Sequence, residues 1–436
     1  MSLDKNQRKA VESTASNIMV IAAAGSGKTY TVVERVRYLI ENLGVEPSSI
    51  TCITFTNMAA NEMKNRLRDV PGIGDAFIGT IHSFANRIFK QSDINYSLLT
   101  TDMSIKLHTE VLQRNSFLYK NLTLQDYLMF LDVEKDYLKG LISEEEALPI
   151  NFFRPSQYAE YRKLESTVMK LCNDRNILTF NELLKKTREY YRSIDGTMEY
   201  VLVDEYQDVG TLEAQFIEAL NATNTFFVGD DYQSIYGFKG ADVEIFKSVV
   251  RNEEVEVIKL QNSYRCAPEI LRFGDKIISQ VNSRIEKEVI PMSKAKGTVR
   301  IDTKKNVNKY LDELKKDGNY GDWFILCRSN KEVFELLGEL NERDIPAVTF
   351  KRSGQSEDQL MEALKSNAVK LLTVHVSKGL ESKNVILYGA FPEKIPQWQL
   401  QAAKNSRSSK SFNIEEERRV MYVGVTRAKE NLIVLN

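Results

Sequence analysis

The sequence contains few of the residues that build disulfide frameworks or metal sites. It has four cysteines and three histidines among 436 residues, and the cysteines are far apart. No two cysteines form a CxxC pair, and none has a histidine at ligand spacing. Scattered cysteines of this kind are typical of reduced thiols in a cytosolic protein, and they argue against disulfides and a zinc site. The cysteines are Cys52, Cys172, Cys266 and Cys327.

The sequence also lacks an excess of either charge and any long apolar run. It has 59 Lys and Arg against 60 Asp and Glu, a net charge of −1, so a site for a polyanion has to be built locally. No stretch approaches the ~18 apolar residues of a membrane-spanning helix, and residues 1–11 lack the apolar core of a signal peptide. We therefore expect a soluble, cytoplasmic protein without a membrane partner.

The composition that remains is that of a globular protein. Hydrophobic residues make up 42% and charged residues 27% of the chain, which is enough to bury sizeable cores. This balance excludes a disordered chain, a collagen and a bare coiled coil. The length corresponds to roughly two to four domains.

Short apolar runs alternate with segments of helical period, a pattern typical of buried parallel strands joined by helices. The first series comprises residues 19–22, 51–54, 199–203 and 225–228. The second series comprises residues 255–260, 323–327, 347–350, 371–374, 385–387 and 432–435. Two such series predict an α/β fold with two doubly wound parallel sheets, one in each of two lobes. Within the first series, strand signals fade between residues 92 and 195, which predicts a helical insertion of the first lobe over these residues.

A strand, a loop of small residues and a helix follow one another near the N-terminus. Residues 18–24 are followed by GSGKT at residues 25–29. Small residues let consecutive backbone N–H groups close around phosphate oxygens, while Lys28 would reach the β- and γ-phosphates and Thr29 would hold Mg²⁺. Ala22 breaks the strict GxxxxGK[ST] pattern, and the alternative is a chance Gly/Ser turn before a helix.

A second chemical element is the run VLVDE at residues 201–205, an apolar strand that ends in two acids. Asp204 would bind Mg²⁺ through water, and Glu205 would polarise an attacking water, since the carboxyl end of a strand is the expected place for a metal and a base. The alternative is a solvated strand end. Gln207 and Asp208, which follow directly, argue against it.

These elements are part of a wider resemblance to the superfamily 1 DNA helicases of the UvrD/Rep/PcrA type. The similarity extends over both predicted lobes and rests on separate blocks in the order in which the family has them. The blocks are LDKNQRKAV (3–11), AGSGKT (24–29), TFTNMAANEMKNRL (54–67), GTIHSF (79–84), VDEYQD (203–208), VGDDYQSIYGFKGA (228–241), LQNSYRC (260–266), TVHVSKGLE (373–381) and EERRVMYVGVTRAK (416–429).

The resemblance implies two RecA-like lobes of the P-loop NTPase type, and it implies that ATP and Mg²⁺ bind between them. Residues 1–91 and 196–261 would form the first lobe, residues 92–195 its helical insertion, and residues 262–436 the second lobe. Tyr264 would stack on adenine, Gln7 would read it, and Glu381 would contact the ribose. The implied nucleotide-binding residues are Gln7, Ala24, Gly25, Ser26, Gly27, Lys28, Thr29, Tyr264 and Glu381, and the metal-binding residues are Thr29 and Asp204.

The resemblance also implies which residues carry out hydrolysis and which bind DNA. Gln233 would couple the γ-phosphate to DNA, and Arg265 and Arg427 would be presented to that phosphate by the second lobe. The implied catalytic residues are Lys28, Glu205, Gln233, Arg265 and Arg427. The implied DNA-binding residues are Phe55, Thr56, Asn57, His82, Tyr236, Phe238, Lys239 and His375. The alternatives are that Phe55 and Phe238 are core aromatics and that His82 and His375 are structural.

The sequence departs from the family pattern in ways that bear on function. Tyr30 stands where an arginine often helps to hold the base, and Phe238-Lys239 replaces Trp-Arg, which weakens stacking and bidentate phosphate binding. Only residues 351–368 separate a strand from the block at 373–381, where relatives insert a large accessory domain. The resemblance thus implies a compact motor without that domain.

The activity that the resemblance implies is ATP-dependent translocation on single-stranded DNA and unwinding of tailed duplexes, in the 3′-to-5′ direction. One alternative is a DNA-dependent ATPase that needs a nuclease or another DNA-processing partner to act on duplex DNA. Another is a nucleotide-gated DNA-binding module that does not hydrolyse ATP. RNA is also an open alternative as the track, because stacking and phosphate contacts do not distinguish the two sugars.

Overall fold

The computed structural model describes residues 2–115, 117–119, 123, 155–350, 362–389 and 414–436, without the side chains of residues 155–159 and Phe238. Two six-stranded sheets dominate these residues, and all strand pairs within them are parallel. The predicted α/β fold with two parallel sheets is thereby confirmed.

The first sheet has the strand order β3-β2-β6-β7-β1-β8. Its strands are apolar on both faces because helices cover both sides. In β1, for example, Ile18 and Val20 pack into one core cluster, whereas Met19 and Ile21 pack into the other. The strands are β1 (Asn17–Ala22), β2 (Ile50–Thr54), β3 (Phe77–Thr80), β6 (Met198–Val203), β7 (Ala222–Gly229) and β8 (Glu256–Leu260).

The second sheet has the strand order β11-β16-β15-β12-β14-β13. The same alternation occurs here, since Phe324 and Leu326 face one core cluster and Ile325 and Cys327 face the other. Its strands are β11 (Thr298–Asp302), β12 (Trp323–Cys327), β13 (Ala347–Thr349), β14 (Val369–Thr373), β15 (Ser382–Tyr388) and β16 (Ala428–Leu435). Two short parallel pairs complete the described strands: β4 (Ser97–Leu98) with β5 (Ile177–Leu178), and β9 (Asn262–Ser263) with β10 (Ile290–Pro291).

Several helices begin at side chains that satisfy the first backbone N–H groups. Thr179 and Glu182 form a capping box at one of them, and Ser329 and Glu332 form another. The described helices are α1 (Lys5–Glu12), α2 (Lys28–Glu41), α3 (Asn57–Leu67), α4 (Ile81–Phe89), α5 (Thr101–Arg114), α6 (Pro155–Asp174), α7 (Phe180–Ser193), α8 (Thr211–Ala219), α9 (Val243–Arg251), α10 (Pro268–Ile278), α11 (Val307–Asp317), α12 (Asn330–Glu342) and α13 (Ile414–Val425). No described helix is long and apolar enough to span a membrane.

The strand predictions need one correction. Residues 255–260 were assigned to the second series, but β8 pairs with β1 at the edge of the first sheet. The strands β3 and β11 were not predicted; β3 is short, and β11 is an edge strand with exposed positions such as Arg300. Both were missed because neither forms a continuous apolar run.

The segment predicted as a helical insertion contains α5, α6 and α7, while most of residues 120–154 lies outside the described part of the chain. Leu183 and Leu184 of α7 belong to the same core cluster as Val201 of the first sheet. The last helix of this segment therefore contributes to the core of the first sheet. The boundaries of the lobes and of the insertion stay a prediction.

The strand order places the chemically important loops together. β6, β7 and β1 are neighbours in the first sheet, so their carboxyl ends meet at one edge. The glycine loop follows β1, Asp204 and Glu205 follow β6, and Gln233 follows β7. Segments that are far apart in the sequence thus converge at a single site.

Candidate nucleotide and DNA site

The loop after β1 is shaped for the close approach of an anion. Gly25 and Gly27 have φ angles of +73° and +79°, which residues with a side chain rarely adopt. A Cβ atom on Gly25 would lie 2.6 Å from Cβ of Arg265. The hydroxyl of Ser26 is buried and has no hydrogen-bond partner within the described structure. A helix begins directly after Gly27, and its first backbone N–H groups can donate to an anion. The loop and the start of this helix together fit a phosphate.

Asp204 and Glu205 face this loop from the end of β6. Thr29 Oγ1 donates a hydrogen bond to Asp204 Oδ2 at 2.9 Å, and Lys28 Nζ lies 3.8 Å from Glu205 Oε1. Glu205 has a φ of +55°, an uncommon conformation that recurs at functional sites. The hydroxyl of Thr29 and the carboxylate of Asp204 are oxygen ligands of the type that Mg²⁺ takes alongside water and phosphate.

No group of three or more His, Cys, Asp or Glu side chains suited to a metal ion occurs in the part of the chain that the structure describes. Where Mg²⁺ binds with nucleotide phosphates, one or two protein ligands and several waters usually complete its coordination. The residues present fit such an ion.

The two adjacent acids differ in their electrostatics. Burial, reinforced by the charge of Glu205, raises the pKa of Asp204 to about 6. Burial also opposes ionisation of Glu205, but the positive charges of Lys28 and Lys378 outweigh it and lower the pKa of Glu205 to about 2. Glu205 is thus ionised at neutral pH, as a group that accepts a proton from water has to be.

Two arginines from the second half of the chain complete the cleft. Arg427 is almost fully buried, and its Nη1 and Nη2 donate hydrogen bonds to the Leu380 carbonyl at 3.1 Å and to Gln233 Oε1 at 3.2 Å. Arg265 Nε donates to Glu381 Oε2 at 2.6 Å. Arg427 lies directly before β16 of the second sheet, and Arg265 lies between β9 and α10, so both guanidinium groups come from segments distant in sequence from the glycine loop.

A continuous chain of hydrogen bonds joins Arg427 to Glu205. Gln233 accepts from Arg427 and donates through Nε2 to Asp230 Oδ2 at 2.5 Å. The Asp230 backbone N–H donates to Gln207 Oε1 at 2.8 Å, and Gln207 Nε2 donates to Glu205 Oε2 at 2.5 Å. A movement of Arg427 would therefore be transmitted to Glu205 through these hydrogen bonds.

The residues predicted to hold the base lie beside the glycine loop. Gln7 Nε2 donates to the Ser26 carbonyl at 3.0 Å, and the Tyr264 backbone N–H donates to the Gly25 carbonyl at 2.9 Å. Asp4 joins them, because it caps the helix that contains Gln7 and accepts a hydrogen bond from the Tyr264 hydroxyl at 2.8 Å. The ring of Tyr264 remains 44% exposed and available to a base.

These elements enclose a cavity of about 510 Å³, within the usual range for small-molecule sites. Ala24, Asp204, Gln7 and Tyr264 are not among its lining residues. The predicted residues that line it are Gly25, Ser26, Gly27, Lys28, Thr29, Glu205, Gln233, Arg265, Glu381 and Arg427. Tyr30, Glu62 and Arg66 also line the cavity.

Four of the predicted DNA-binding residues form an aromatic cluster. Phe55 stacks on Tyr236, with ring centroids 5.2 Å apart and an interplanar angle of 19°. The Tyr236 hydroxyl donates to the His375 carbonyl at 3.1 Å, and Lys239 Nζ lies 5.0 Å from the Tyr236 ring. Tyr236 is only 2% exposed, so in this arrangement Phe55 and Lys239 are more accessible to a base than Tyr236 is.

Thr56 and Asn57 lie at the start of α3, and His82 lies on α4. Thr56 caps α3 by accepting from the Ala59 N–H at 3.1 Å, and Asn57 is exposed directly after it. His82 packs edge-on against Phe180, with centroids 5.0 Å apart, and burial lowers the pKa of His82. The side chain of Phe238 lies outside the described part of the structure.

Comparison with known proteins agrees with this geometry. Residues 3–253 match the UvrD/REP helicase N-terminal domain, which is more than half of the chain. The chain belongs to the UvrD/REP helicase family. Residues 352–436 match the UvrD-like helicase C-terminal domain, so the match extends to the second sheet and confirms the family that the sequence motifs indicated.

Several curated relatives of this UvrD/REP-family chain are DNA helicases. It is 28% identical to a probable DNA helicase of Mycoplasma pneumoniae, over 100% of this chain and 83% of that protein. It is 28% identical to DNA helicase II of Escherichia coli, over 66% of the chain and 42% of that protein. It is 30% identical to the ATP-dependent DNA helicase PcrA of Bacillus subtilis, over 66% and 41%. The matched region thus spans less than half the length of the latter two.

Sequence reasoning gave no role to three residues that the structure places at the centre of this helicase-family site. Gln207 holds Glu205, Asp4 holds Tyr264, and Lys378 contacts Asp208. All three lie in or beside the family blocks, which is the only signal that points to them. The partners of Asp4 and Lys378 are distant in sequence, so spacing could not identify these contacts, whereas Gln207 lies in the same loop as Glu205.

Asp208 leads to a prediction about pH. Burial raises its pKa from 3.8 to about 7, although Lys378 opposes this. Between these values the folded state keeps a proton that the unfolded state releases, so stability falls as pH rises. From pH 4 to 7 we expect the free energy of unfolding of the wild type to fall by ~1–4 kcal/mol relative to Asp208→Asn. Urea denaturation at several pH values measures this difference.

The matched control for this measurement is Asp275→Asn, since Asp275 is exposed on α10. Its unfolding curve should follow that of the wild type at every pH. Parallel pH profiles of wild type and Asp208→Asn would show that Asp208 has no raised pKa.

Proposed function

We propose that this protein is an ATP-dependent motor that translocates along single-stranded DNA and unwinds tailed duplexes. The observation that carries the proposal is the convergence of Lys28 and Glu205, which follow strands of the first sheet, with Arg265 and Arg427 from the second half of the chain around one cavity. Phosphoryl transfer needs such a combination of cations and a water-orienting group. The names of the relatives, which are DNA helicases, support DNA as the track.

Each of these side chains has a specific part in ATP hydrolysis. Lys28 and the N–H groups of the glycine loop bind the phosphates, and the ionised Glu205 orients water and takes its proton. Arg265 and Arg427 neutralise the charge that develops on the transferred group, which a planar guanidinium does through paired hydrogen bonds. Mg²⁺, held by Thr29 and Asp204, would neutralise further phosphate charge. Because Arg427 adjoins the second sheet whereas Lys28 and Glu205 adjoin the first, hydrolysis requires the cleft between the two sheets to be closed.

The aromatic cluster of Phe55, Tyr236, Lys239 and His375 binds the DNA strand. Aromatic faces bind bases without reading their sequence, and each stacked base contributes about 1–3 kcal/mol. The cluster is built from both halves of the chain, since His375 follows β14 and Phe55 follows β2. Opening and closing of the cleft would therefore change the contacts between this cluster and the bases, and would move the strand.

The proposed direction of movement, 3′ to 5′, rests on the family resemblance. The described residues of the site give no independent physical argument for the direction. The names of the bacterial relatives favour a place of action in the cytoplasm. A DNA-processing partner such as a nuclease enters the proposal only if the protein translocates without unwinding.

The proposal is tested by steady-state ATP hydrolysis with and without single-stranded DNA, together with unwinding of 3′-tailed, 5′-tailed and blunt duplexes. We expect strong stimulation by single-stranded DNA and unwinding of the 3′-tailed duplex alone. A Lys28→Ala protein purified in parallel controls for contaminating ATPases. A parallel series with single-stranded RNA of the same sequence tests the choice of track.

Each other outcome has a definite meaning. Stimulation without unwinding would replace the autonomous helicase by a translocase that requires a partner. Unwinding of the 5′-tailed duplex alone would reverse the polarity. Absence of hydrolysis with every nucleic acid would refute the motor and favour a nucleotide-gated binding module.

A further inference from the structure

Lys287 is a buried lysine on the segment between α10 and β10. Its side chain is only 1% exposed, and its Nζ lies 2.6 Å from Asp230 Oδ1 and 2.8 Å from Asp231 Oδ1. Both carboxylates are fully buried in the loop after β7. The ammonium group also lies 3.8 Å from the centroid of the Tyr232 ring. A single lysine thus pairs with both acids of the loop that carries Gln233.

The two acids use their second oxygens differently. Asp230 Oδ2 accepts a hydrogen bond from Gln233 Nε2 at 2.5 Å, and Gln233 lines the nucleotide cavity. Asp231 Oδ2 accepts from the Ile285 backbone N–H at 2.7 Å, so it binds back to the segment of the lysine. Asp231 therefore helps to hold this segment in place, whereas Asp230 connects Lys287 to the cavity.

Lys287 is both held in place and positively charged. On its segment, Ile285 packs against the core cluster of the first sheet, and the Glu286 carbonyl accepts from Lys259 Nζ of β8 at 2.9 Å. Burial opposes the charge of Lys287, but the two acids outweigh it and raise the pKa of Lys287 above its ordinary value. A fixed ammonium group therefore faces Asp230 at neutral pH.

The charge of Asp230 determines which end of the Gln233 amide faces it. An ionised carboxylate only accepts hydrogen bonds, so it takes Nε2 of Gln233 and leaves Oε1 to Arg427, whose Nη2 donates to it at 3.2 Å. A buried carboxylate without a cation tends to take up a proton. A protonated Asp230 could donate to the amide oxygen and reverse the amide. The charge of Lys287 favours the ionised, accepting form of Asp230.

We propose that Lys287 is a positioning residue for ATP hydrolysis, which holds the Asp230 carboxylate so that Gln233 presents its amide oxygen to Arg427. Lys287 is not among the described residues that line the nucleotide cavity, whereas Gln233 and Arg427 are. The hydrogen bond between these two residues belongs to the closed arrangement in which hydrolysis is proposed to occur. This inference rests on the proposed function and adds a residue outside the cavity on which that arrangement depends.

A buried ion cluster with a purely structural role is the competing explanation. Removing Lys287 alone leaves two buried acids without their cation, which commonly destabilises a protein. The test therefore compares Lys287→Met with the charge-balanced variant Lys287→Met/Asp231→Asn, which loses one charge of each sign. The amide oxygen introduced at position 231 can still accept from the Ile285 N–H. Asp230 and Gln233 are unchanged in this variant.

The readouts are the melting temperature and the kcat and KM for ATP, with and without single-stranded DNA. We expect the charge-balanced variant to melt near the wild type and to lose kcat by roughly 10- to 100-fold, the size of effect seen when a partner that orients a metal ligand is removed. The same factor should apply with and without DNA, and KM should change little because the glycine loop and Lys28 are unchanged. Lys276→Met, at an exposed position on α10, is the matched control and should behave as the wild type does.

A cycle of substitutions with Gln233→Ala tests the route by which Lys287 acts. If the route leads through Gln233, adding the charge-balanced pair to Gln233→Ala should lower kcat no further. A role in overall stability would instead lower kcat in both backgrounds. Single-turnover hydrolysis at saturating ATP measures the four rates.

Two outcomes would overturn the inference. One is a charge-balanced variant with wild-type kcat, since Lys287 would then serve folding alone. The other is an equal loss of kcat in the Gln233→Ala background, which would show that Lys287 acts by another route. Failure of the proposed function is distinguishable from both, because the wild type itself would then hydrolyse no ATP.

Discussion

Replacing Glu205 by glutamine should lower kcat for ATP hydrolysis by about 10²–10⁴-fold, the usual contribution of a general base. The amide keeps the size of the side chain and can still accept a hydrogen bond from Gln207, but it cannot take a proton from water. In the proposed mechanism the glycine loop and Lys28 bind the nucleotide, so the dissociation constant for ATP should change little. Stopped-flow binding of a fluorescent ATP analogue and steady-state hydrolysis separate the two effects.

Glu199→Gln is the matched control for this substitution. Glu199 lies on the same strand, β6, but its side chain is exposed and away from the cleft. We expect wild-type hydrolysis from it. A Glu205→Gln protein with near wild-type kcat would show that another group activates water.

Replacing Arg427 by alanine should lower kcat by about 10³–10⁵-fold, the range observed for arginines that stabilise phosphoryl transfer. Burial and the nearby charge of Arg265 lower the pKa of Arg427 to about 9, so the group is still charged at neutral pH. Its loss removes both this charge and the hydrogen bond to Gln233, which begins the chain that leads to Glu205. Single-turnover hydrolysis with saturating DNA measures the chemical step.

Arg427 is buried, so its substitution also has to be tested for folding. Arg427→Lys keeps a charge but loses the planar fork, and we expect it to fold better than Arg427→Ala while remaining strongly impaired in hydrolysis. Arg418→Ala controls for the loss of an arginine from this block, since Arg418 lies on α13 and donates only to the Gln280 carbonyl among the described contacts. A folded Arg427→Ala protein that hydrolyses ATP at the wild-type rate would remove Arg427 from the mechanism.

The two expectations are linked through the hydrogen bonds that run from Arg427 through Gln233, Asp230 and Gln207 to Glu205. Members of such a network act as a unit, so their substitutions should not be additive. The kcat of the double variant Glu205→Gln/Arg427→Ala should therefore be only a little lower than that of the less active single variant.

The strands could be predicted from sequence wherever burial on both faces makes a continuous apolar run. Residues 323–327 were predicted with the bounds that the structure has for β12. The assignment of residues 255–260 failed because a sequence shows that a strand exists but not which neighbour it pairs with. β8 joins β1 through backbone hydrogen bonds, which any apolar strand could form.

The residues of the candidate site also fall into two groups, those that the sequence identified and those that it did not. The glycine loop and the two acids after β6 were identifiable because their chemistry requires particular residue types at short spacings, whereas the two arginines were indicated only by the family resemblance. Lys378 could not be identified in this way, because its contacts with Asp208, Gln233 and Glu205 cross between the two sheets. Lysines in polar loops are common, and nothing in the local sequence separates a buried one from a solvated one.

By itself, the sequence determined the fold class, the family motifs and the chemical groups available to a phosphate, since these depend on local patterns of side chains. The tertiary structure alone decided which of those groups meet. It buried Tyr236 behind Phe55 and aligned the hydrogen bonds from Arg427 to Glu205. It also placed Lys287 beside Asp230 and Asp231. These contacts join segments far apart in the chain, and only packing of the two sheets brings such segments within hydrogen-bonding distance.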